Sequence, residues 1–368
     1  MERILITGGA GFIGRAVTSE LLARGYRVRV LDSFIEQVHG ATGRSLPLDV
    51  ELVRADIRNS QAVRLALKGV DGVVHLAAEV GVGQSMYAVE RYTSVNDVGT
   101  AILFEELLAN PVRRVVTASS MSIYGEGLYL DADGEMVEDA ERRPRATIGQ
   151  DWDPLDSHGR LLTPVATPEW KRPNLASIYA LNKYVQERAT MILAGSYGIE
   201  GVCLRLFNVY GPGQALSNPY TGVLAIFASR LLNRQRPMVF EDGGQHRDFV
   251  HVGDVARAFA EALEHPQAAG EIFNIGSGEA RSISEVACAL ARAMGVGGIE
   301  PQILGKARVG DVRHCFCDTT KAAERLGFRA TAQFNDGLAE LASWVAEQSA
   351  DDRVDQARME LEARGLVS

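Results

Sequence analysis

A tyrosine and a lysine lie four residues apart in the segment Ser177-Ile178-Tyr179-Ala180-Leu181-Asn182-Lys183. Residues with this spacing share one face of a helix, so a helix over 180–189 brings a phenol close to an ammonium group. Use of a phenolate at neutral pH requires the tyrosine pKa to fall by roughly three units, on the order of 4 kcal/mol, and a neighbouring cation can supply that change. The same spacing also occurs on solvated helical faces, and it is the dinucleotide signal earlier in the chain that makes the pair predict a catalytic base, Tyr179, assisted by Lys183.

The elements that must position this pair begin near residue 3. The apolar segment Arg3-Ile4-Leu5-Ile6-Thr7 is typical of a buried parallel strand, and a glycine-rich turn then leads into a helix. Glycines three residues apart in this turn permit a tight bend, close approach of a pyrophosphate and close packing of the helix. The turn predicts a dinucleotide site formed by Gly8, Gly11, Phe12, Ile13 and Gly14.

A carboxylate follows the next predicted strand, residues 27–31. Asp32 comes eighteen residues after Gly14, a spacing at which its side chain accepts hydrogen bonds from both hydroxyls of an adenosine ribose. The same carboxylate repels a 2′-phosphate, and no lysine or arginine occurs in residues 33–43. The predicted cofactor is therefore NAD rather than NADP.

Small and polar residues follow the later predicted strands, 50–53, 72–74 and 114–118. The carboxyl ends of parallel strands form the edge at which an open doubly wound sheet binds ligands. Ser120 at this edge can hydrogen-bond both a sugar hydroxyl and Tyr179. The further residues predicted to contact the cofactor are Asp56, Ile57, Leu76, Ala77, Ala78 and Asn96.

The alternation of strands and helices indicates an α/β fold, with a Rossmann-type doubly wound parallel sheet and a smaller α/β substrate lobe. The lobes are predicted to interleave. An insert between Ser120 and Tyr179 is polar and proline-rich, which is typical of an ordered loop or lid. The predicted parts are a dinucleotide lobe (1–204 and 248–280, with the insert at about 127–172), a substrate lobe (205–247 and 281–345) and a helical tail (346–368), in which the charged residues 351–364 are predicted to be solvated.

Several motifs resemble those of the extended short-chain dehydrogenase/reductases, over roughly residues 1–345. The resemblance implies that Tyr179 is the catalytic base, that Lys183 holds the nicotinamide ribose and that Ser120 completes the site. The later motifs are similar to those of the nucleotide-sugar branch of that family. The motifs are the glycine turn from Thr7 to Gly14, His75-Leu76-Ala77-Ala78, the segment from Ser119 to Gly125, the Tyr179–Lys183 pair, and the segments 204–212, 247–252 and 274–276.

The residues after Ser120 narrow the reaction that the resemblance implies. Dehydratases of this branch place Asp-Glu directly after the equivalent hydroxyl residue, and its decarboxylases keep a glutamate there, whereas this chain has Met121 and Ser122. Neither side chain moves a proton to or from carbon at neutral pH. The set that remains predicts an NAD-dependent 4-epimerase of a nucleoside-diphosphate hexose, acting through a transient 4-keto sugar. The alternatives are an NAD(P)H-dependent 4-ketoreductase, a dehydratase or decarboxylase, and a non-enzymatic NAD-sensing regulator.

The resemblance also implies the substrate contacts. Asn208 and Arg247 match phosphate- and pyrophosphate-binding residues of the family, an Arg308 fork can bind phosphate, and Asp311 can accept a hydrogen bond from the nucleoside ribose. The predicted substrate-binding residues are Ser120, Ser122, Asn208, Arg247, Arg308 and Asp311.

Two segments, 163–169 and 217–222, are similar to the dTDP-L-rhamnose 4-epimerase group, which favours a dTDP-deoxyhexose. Members of that group carry cysteines in the insert. Here Asp156-Ser157-His158-Gly159 stands at that place, so no metal site is predicted.

The composition is that of an ordinary globular protein: 368 residues with 46% hydrophobic content suffice for a large two-lobed core. The net charge of −9 disfavours nucleic acid as a partner. The absence of an apolar leader and of a membrane-length apolar run predicts a cytoplasmic protein with no membrane partner, whose four cysteines are reduced. Helices over 101–108 and 185–193 have apolar faces, which are either buried within one chain or, as the resemblance implies, paired across a homodimer.

Overall fold

The computed structural model describes residues 2–40, 46–142 and 152–367, so residues 143–151 of the predicted insert lie outside the described part. The strands are β1 Arg3–Thr7, β2 Arg27–Asp32, β3 Glu51–Arg54, β4 Gly72–His75, β5 Arg114–Ser120, β6 Leu128–Leu130, β7 Met136–Val137, β8 Thr163–Val165, β9 Glu200–Leu206, β10 Asn208–Tyr210, β11 Met238–Val239, β12 His246–His251, β13 Ile272–Ile275, β14 Ala280–Ser282, β15 Gln302–Ile303 and β16 His314–Cys315.

The α-helices are α1 Phe12–Ala23, α2 Glu36–His39, α3 Ser60–Leu67, α4 Val82–Ser85, α5 Val89–Thr93, α6 Gly99–Ala109, α7 Ile178–Tyr197, α8 Val223–Leu232, α9 Val252–Glu264, α10 Ile283–Ala293, α11 Thr320–Arg325, α12 Phe334–Ala346 and α13 Val354–Ala363. No helix of the described ranges combines the length and the apolar character needed to cross a bilayer.

Seven parallel strands form the larger sheet in the order β13-β9-β5-β4-β1-β2-β3. The strand order reverses between β1 and β4, and ligands bind at such a switch point, outside the carboxyl ends of the strands. The predicted Rossmann-type fold is confirmed. The register pairs Thr7 with His75, so the glycine turn and the segment 76–78 leave the sheet side by side.

Helices cover both faces of the large sheet, which is why its strands are almost continuously apolar. On one face, Val17 of α1 and Phe259 of α9 pack in one buried cluster with the strands. On the other face, Val63 of α3 and Phe104 of α6 belong to a second cluster. These two layers fix the sheet edge at which the predicted site residues emerge.

The smaller lobe is built on a second sheet in which β12 pairs with β10, β14 and β16. Helices α8, α10 and α12 enclose its core, which includes Phe227, Leu290 and Leu341. The chain then returns through α9 and β13 to the large sheet. The predicted boundary between residues 247 and 248 falls inside β12.

The described parts of the insert, 127–142 and 152–172, form an ordered layer. Strand β6 pairs with β7 and β8 in an antiparallel sheet. The backbone N–H of Thr167 donates to the carbonyl of Phe316, and the buried ammonium of Lys171 donates to the carbonyl of Tyr124. The insert is thereby fastened to both lobes.

The described part of the predicted tail is only partly solvated, because it is exposed along one side and buried along another. Ala357, Leu361 and Val367 are buried, and the segment 350–367 lies against both lobes. The apolar residues 357 and 361 stand four apart, so they share one face of α13 and pack inward.

Candidate active site

A cavity of about 1360 Å³ follows the carboxyl edge of the large sheet and continues between the lobes. It collects side chains and backbone from segments that are distant in sequence. The predicted site residues that line it are Gly8, Gly11, Phe12, Ile13, Gly14, Asp32, Asp56, Ile57, Leu76, Ala77, Ala78, Ser120, Tyr179, Lys183 and Asn208.

The glycine turn is packed too closely for side chains. A Cβ on Gly8 would lie 2.8 Å from the backbone nitrogen of Ala77, and a Cβ on Gly14 would lie 2.4 Å from the carbonyl oxygen of Gly8. Gly8 also has a φ of 70°, which favours glycine. The turn therefore presents bare backbone to the cavity, as a pyrophosphate at a helix N-terminus requires.

Asp32 lies at the end of β2 and is nearly buried. Its carboxylate accepts hydrogen bonds from the backbone N–H of Ala10, at 3.0 Å, and of Phe34, at 2.8 Å, and lies 3.3 Å from the His39 ring. Burial acts to raise the pKa of Asp32, but the hydrogen bonds from His39 and Phe34 outweigh it and hold the pKa below its ordinary value. The carboxylate is therefore ionised and rigidly placed on the cavity wall.

Two observations show that the cavity fits NAD. The glycine turn has no room for a Cβ, and an acidic residue, Asp32, stands at the end of the second strand. When bound, NAD supplies a nicotinamide that accepts and returns a hydride. Among the described residues, no cluster of three or more His, Cys, Asp or Glu side chains is suited to a metal ion.

Tyr179 and Lys183 lie on the first turns of α7, which begins at Ile178, two residues before the predicted helix, and extends to Tyr197. The hydroxyl of Ser177 caps this helix by accepting a hydrogen bond from the N–H of Ala180, at 3.1 Å. Both reactive side chains are buried, and both line the cavity.

The lowered pKa expected for Tyr179 is absent in the protein alone. Burial raises the pKa of Tyr179 to about 12, although a hydrogen bond with Ser120 acts in the opposite direction. Burial likewise lowers the pKa of Lys183 to about 8. The Lys183 ammonium donates a hydrogen bond to the carbonyl of Ala118, at 3.0 Å, and this carbonyl oxygen partly offsets its positive charge. If Tyr179 acts as a phenolate, the positive charge of a bound oxidised cofactor would have to supply much of the required lowering of its pKa.

Ser120 ends β5 beside the tyrosine. Its hydroxyl oxygen accepts hydrogen bonds from the N–H of Ser122, at 3.1 Å, and from the Ser122 hydroxyl, at 2.9 Å. Ser122 is not among the residues that line the cavity, so it supports Ser120 from behind.

Asn96, predicted to contact the cofactor, lies behind the cavity wall. Its side-chain oxygen accepts from the N–H of Glu79, at 2.7 Å, and its amide nitrogen donates to the Glu79 carbonyl, at 3.1 Å. Asn96 would act on a cofactor only through the loop that it holds.

Three predicted substrate residues form a separate ionic cluster outside the lining of the cavity. The Asp311 carboxylate lies 2.8 Å from Arg308 and 3.2 Å from Arg247. Burial opposes the charge of Asp311, but Arg308, Arg247 and Arg142 hold the pKa of Asp311 well below its ordinary value. The structure brings these residues together, and their contact with substrate stays a prediction.

The sequence pattern missed a second polar cluster on the cavity wall. The Arg91 guanidinium donates to Glu79 at 2.8 Å, to Gln84 at 2.9 Å and to Gln37 at 3.1 Å. These residues come from three separate segments and carry no motif with fixed spacing. Only the fold shows that they share one wall.

The sequence matches the NAD dependent epimerase/dehydratase family over residues 4–147 and 164–276. It is 36% identical over 354 residues to a dTDP-L-rhamnose 4-epimerase of Burkholderia thailandensis, covering 94% of this chain and 96% of that protein. It is 32% identical to a putative UDP-glucose 4-epimerase of Methanocaldococcus jannaschii, covering 93% of this chain and 98% of that protein. The fold is similar to that of the Thermus thermophilus UDP-glucose 4-epimerase in complex with NAD, with a TM-score of 0.73, 31% identity, and coverage of 94% and 99% of the two chains.

The chain belongs to the NAD dependent epimerase/dehydratase family. The predicted family, the class of NAD-dependent epimerase and NAD as the cofactor are confirmed. Within this family, the roles predicted for individual site residues stay predictions.

Proposed function

We propose that this epimerase inverts the configuration at C4 of a nucleoside-diphosphate hexose, with a dTDP-deoxyhexose as its substrate. The observation that carries the proposal is the meeting of Ser120, Tyr179 and Lys183 on one cavity wall, beside the glycine turn and Asp32. The Burkholderia thailandensis relative, a dTDP-L-rhamnose 4-epimerase, supports the choice of sugar nucleotide.

Each catalytic side chain has a task that follows from its surroundings. Tyr179 takes the proton of the C4 hydroxyl through its phenolate and later returns it. Ser120 hydrogen-bonds the same oxygen and the phenol, and the Ser122 hydroxyl fixes the direction of Ser120. Lys183 holds the cofactor ribose and adds positive charge next to the phenolate.

The neighbours of Ser120 support an epimerase over a dehydratase or decarboxylase. Met121 and Ser122 form the first turn after β5, and Ser122 is hydrogen-bonded to Ser120. A thioether and a hydroxyl cannot add or remove a proton at carbon at neutral pH. In the proposed reaction, the 4-keto sugar rotates within the cavity, so that its opposite face accepts the hydride at C4.

Asn208 is the predicted substrate residue that lines the cavity from the smaller lobe. We assign its amide to the diphosphate of the substrate. The cluster of Arg247, Arg308 and Asp311 would reach the diphosphate or the ribose only after Arg247 or Arg308 exchanged its carboxylate partner for a phosphate oxygen.

We further propose a homodimer in the cytoplasm. Leu108 of α6 and Ile192 and Tyr197 of α7 are exposed apolar side chains on two helices whose pairing in the family forms a dimer. The charge change Ile192→Asp is expected to give monomers in sedimentation, whereas Leu65→Asp, on the exposed face of α3, should leave the oligomeric state unchanged.

The function is tested by giving purified protein, without added cofactor, a panel of dTDP-, UDP- and GDP-hexoses. A product of unchanged mass with an inverted C4 proton signal in the NMR spectrum is expected, and the most rapidly converted sugar identifies the substrate. Loss of water or carbon dioxide would overturn the epimerase assignment. Turnover only after a 4-keto sugar and NAD(P)H are supplied would establish a ketoreductase instead.

A further inference from the structure

The segment 350–367, here called the C-terminal strap, forms part of the cavity wall. Its residues Asp351, Arg353, Gln356, Ala357 and Glu360 line the same cavity as Tyr179 and the glycine turn. Met359 of α13 does not line the cavity and is 55% exposed. The strap therefore contributes to the rim of the cavity and also presents side chains to solvent.

The strap is fastened to the smaller lobe by a buried arginine. Arg230 of α8 has a side chain that is 4% exposed, and its guanidinium lies 3.2 Å from Asp352 and 2.9 Å from Asp355. The N–H of Asp351 also donates to the Ser217 hydroxyl, at 3.0 Å. Because a buried guanidinium without its carboxylates is costly, these pairs favour the docked strap.

The strap is fastened to the larger lobe by apolar and aromatic contacts. A Cβ on Gly83 of α4 would lie 3.4 Å from the Leu361 side chain, so the helix packs directly on that turn. The Tyr87 hydroxyl donates to the Tyr220 hydroxyl, at 2.7 Å, and the Tyr220 hydroxyl donates to Glu360, at 3.1 Å. One residue of the strap thus joins side chains from both lobes.

The last residues of the strap reach the segment of the predicted phosphate-binding arginine. The N–H of Val309 donates to the carbonyl of Leu366, at 2.9 Å, and Arg308 forms an antiparallel bridge with Val367. Lys306 lies 2.9 Å from Glu362. The strap therefore runs over the cavity from Ser217 to Arg308 and is held at both ends and in the middle.

We propose that the C-terminal strap is the outer wall of the substrate site, where Gln356 and Glu360 contact the nucleotide sugar and the closed strap retains the 4-keto sugar. This inference rests on the proposed function. Oxidation at C4 transfers a hydride from the sugar to NAD and a proton from its hydroxyl to Tyr179. A keto sugar that escapes at this point cannot take the hydride back, so the enzyme remains in the NADH form and stops.

The test uses the full chain with Leu361→Ser, which weakens the contact with Gly83 without changing a residue that lines the cavity. A second variant ends at residue 349 and lacks the strap. Met359→Ser is the matched control, because this side chain lies on the solvent face of the same helix. The NAD content and thermal unfolding of each protein are measured first, to show that each folds and binds its cofactor.

Each protein is incubated with its best substrate, and enzyme-bound NADH is followed by its absorbance near 340 nm. For each substrate molecule converted, we expect the two strap variants to accumulate at least ten times as much enzyme-bound NADH as the wild type and Met359→Ser. Released keto sugar is trapped with borodeuteride and detected as deuterium at C4. Equal NADH accumulation in all four proteins would overturn the inference.

A second measurement separates failure of the inference from failure of the proposed function. Hydrogen exchange of residues 354–363 is compared with and without dTDP, UDP and GDP, none of which can be oxidised. Slower hydrogen exchange of the strap in the presence of one of these diphosphates would support its assignment as the outer wall of the substrate site, even if no sugar in the panel is epimerised. If the panel gives no product and exchange of the strap is unaffected by all three diphosphates, both proposals fail.

Discussion

The ammonium of Lys183 donates a 3.0 Å hydrogen bond to the backbone carbonyl of Ala118, two residues before Ser120. This bond joins α7 to β5, the two elements that carry the tyrosine and the serine. The lysine that we predict to hold the cofactor therefore also fixes the relative positions of Tyr179 and Ser120, which we propose to contact the substrate oxygen.

The change Tyr179→Phe should abolish turnover without releasing the cofactor. It removes the hydroxyl that we propose exchanges a proton with substrate, so we expect a loss of roughly 10²- to 10⁴-fold in kcat, while NAD content stays as in the wild type. Tyr197→Phe, on the exposed end of the same helix, is the control. Near-normal turnover of the Tyr179 variant would show that another group is the base.

The change Asp32→Ala should weaken retention of NAD. Loss of hydrogen bonds to an ionised carboxylate costs about 1.5–3 kcal/mol, or roughly 10- to 100-fold in affinity. The preference for NAD over NADP should fall as well, because the repulsion of a 2′-phosphate disappears. Titration of the cofactor-free protein with each dinucleotide measures both effects, with the exposed Asp49→Ala as control. Unchanged affinities for both dinucleotides would show that Asp32 does not bind the adenosine ribose.

The buried His75 should make the fold sensitive to acid. Its ring is 2% exposed and lies 2.7 Å from the Thr7 hydroxyl and 2.9 Å from the Thr100 hydroxyl. Burial, together with the charge of Lys183, lowers the pKa of His75 to about 3. In the unfolded chain, His75 takes up its proton near pH 6.5. The neutral buried ring therefore makes its full contribution to stability above pH 6.5. As the pH falls from 6.5 toward 3, this contribution decreases by about 1.4 kcal/mol per pH unit.

Urea unfolding of wild type and His75→Asn at pH 7 and pH 4.5 checks this dependence. The variant should be less stable at pH 7 but should lose less stability between the two pH values. His158→Asn, at an exposed position, should follow the wild type. Equal losses in all three proteins would mean that His75 is protonated in the folded state.

The change Glu187→Gln should destabilise the fold strongly. The Glu187 carboxylate is fully buried, lies 2.7 Å and 2.9 Å from the Arg205 guanidinium, and accepts the Ser119 hydroxyl at 2.7 Å. Removal of one charge leaves the buried guanidinium without a counter-ion, which costs about 3–5 kcal/mol. Denaturant unfolding measures the loss, and Glu105→Gln on the exposed face of α6 is the control. A loss below about 1 kcal/mol would mean that Arg205 finds another partner.

The parts of the site that the sequence predicted are those encoded locally. The turn from Gly8 to Gly14 must be glycine because backbone atoms a few residues away occupy the space of a Cβ. The pair Tyr179 and Lys183 follows from one helical turn, whose start is fixed by the Ser177 cap. Such signals need no knowledge of the rest of the fold.

The parts that the sequence did not predict depend on distant partners. The polar cluster of Arg91 with Gln37 and Gln84 forms only when folding brings three separate segments of the chain together. The solvated tail was expected because α13 is highly charged, but several of its charges are used in pairs such as Lys306–Glu362. The spacing of Ala357 and Leu361 was the one local signal of an inward face.

A single residue, Phe207, separates β9 of the large sheet from β10 of the smaller sheet. Leu206 on one side and Asn208 on the other both line the cavity. Because the connection is one residue long, the Cα atoms of Leu206 and Asn208 stay within about 7 Å of each other in any arrangement of the lobes. One residue of the large sheet and one residue of the smaller sheet therefore remain neighbours on the cavity wall, however the rims of the two lobes move.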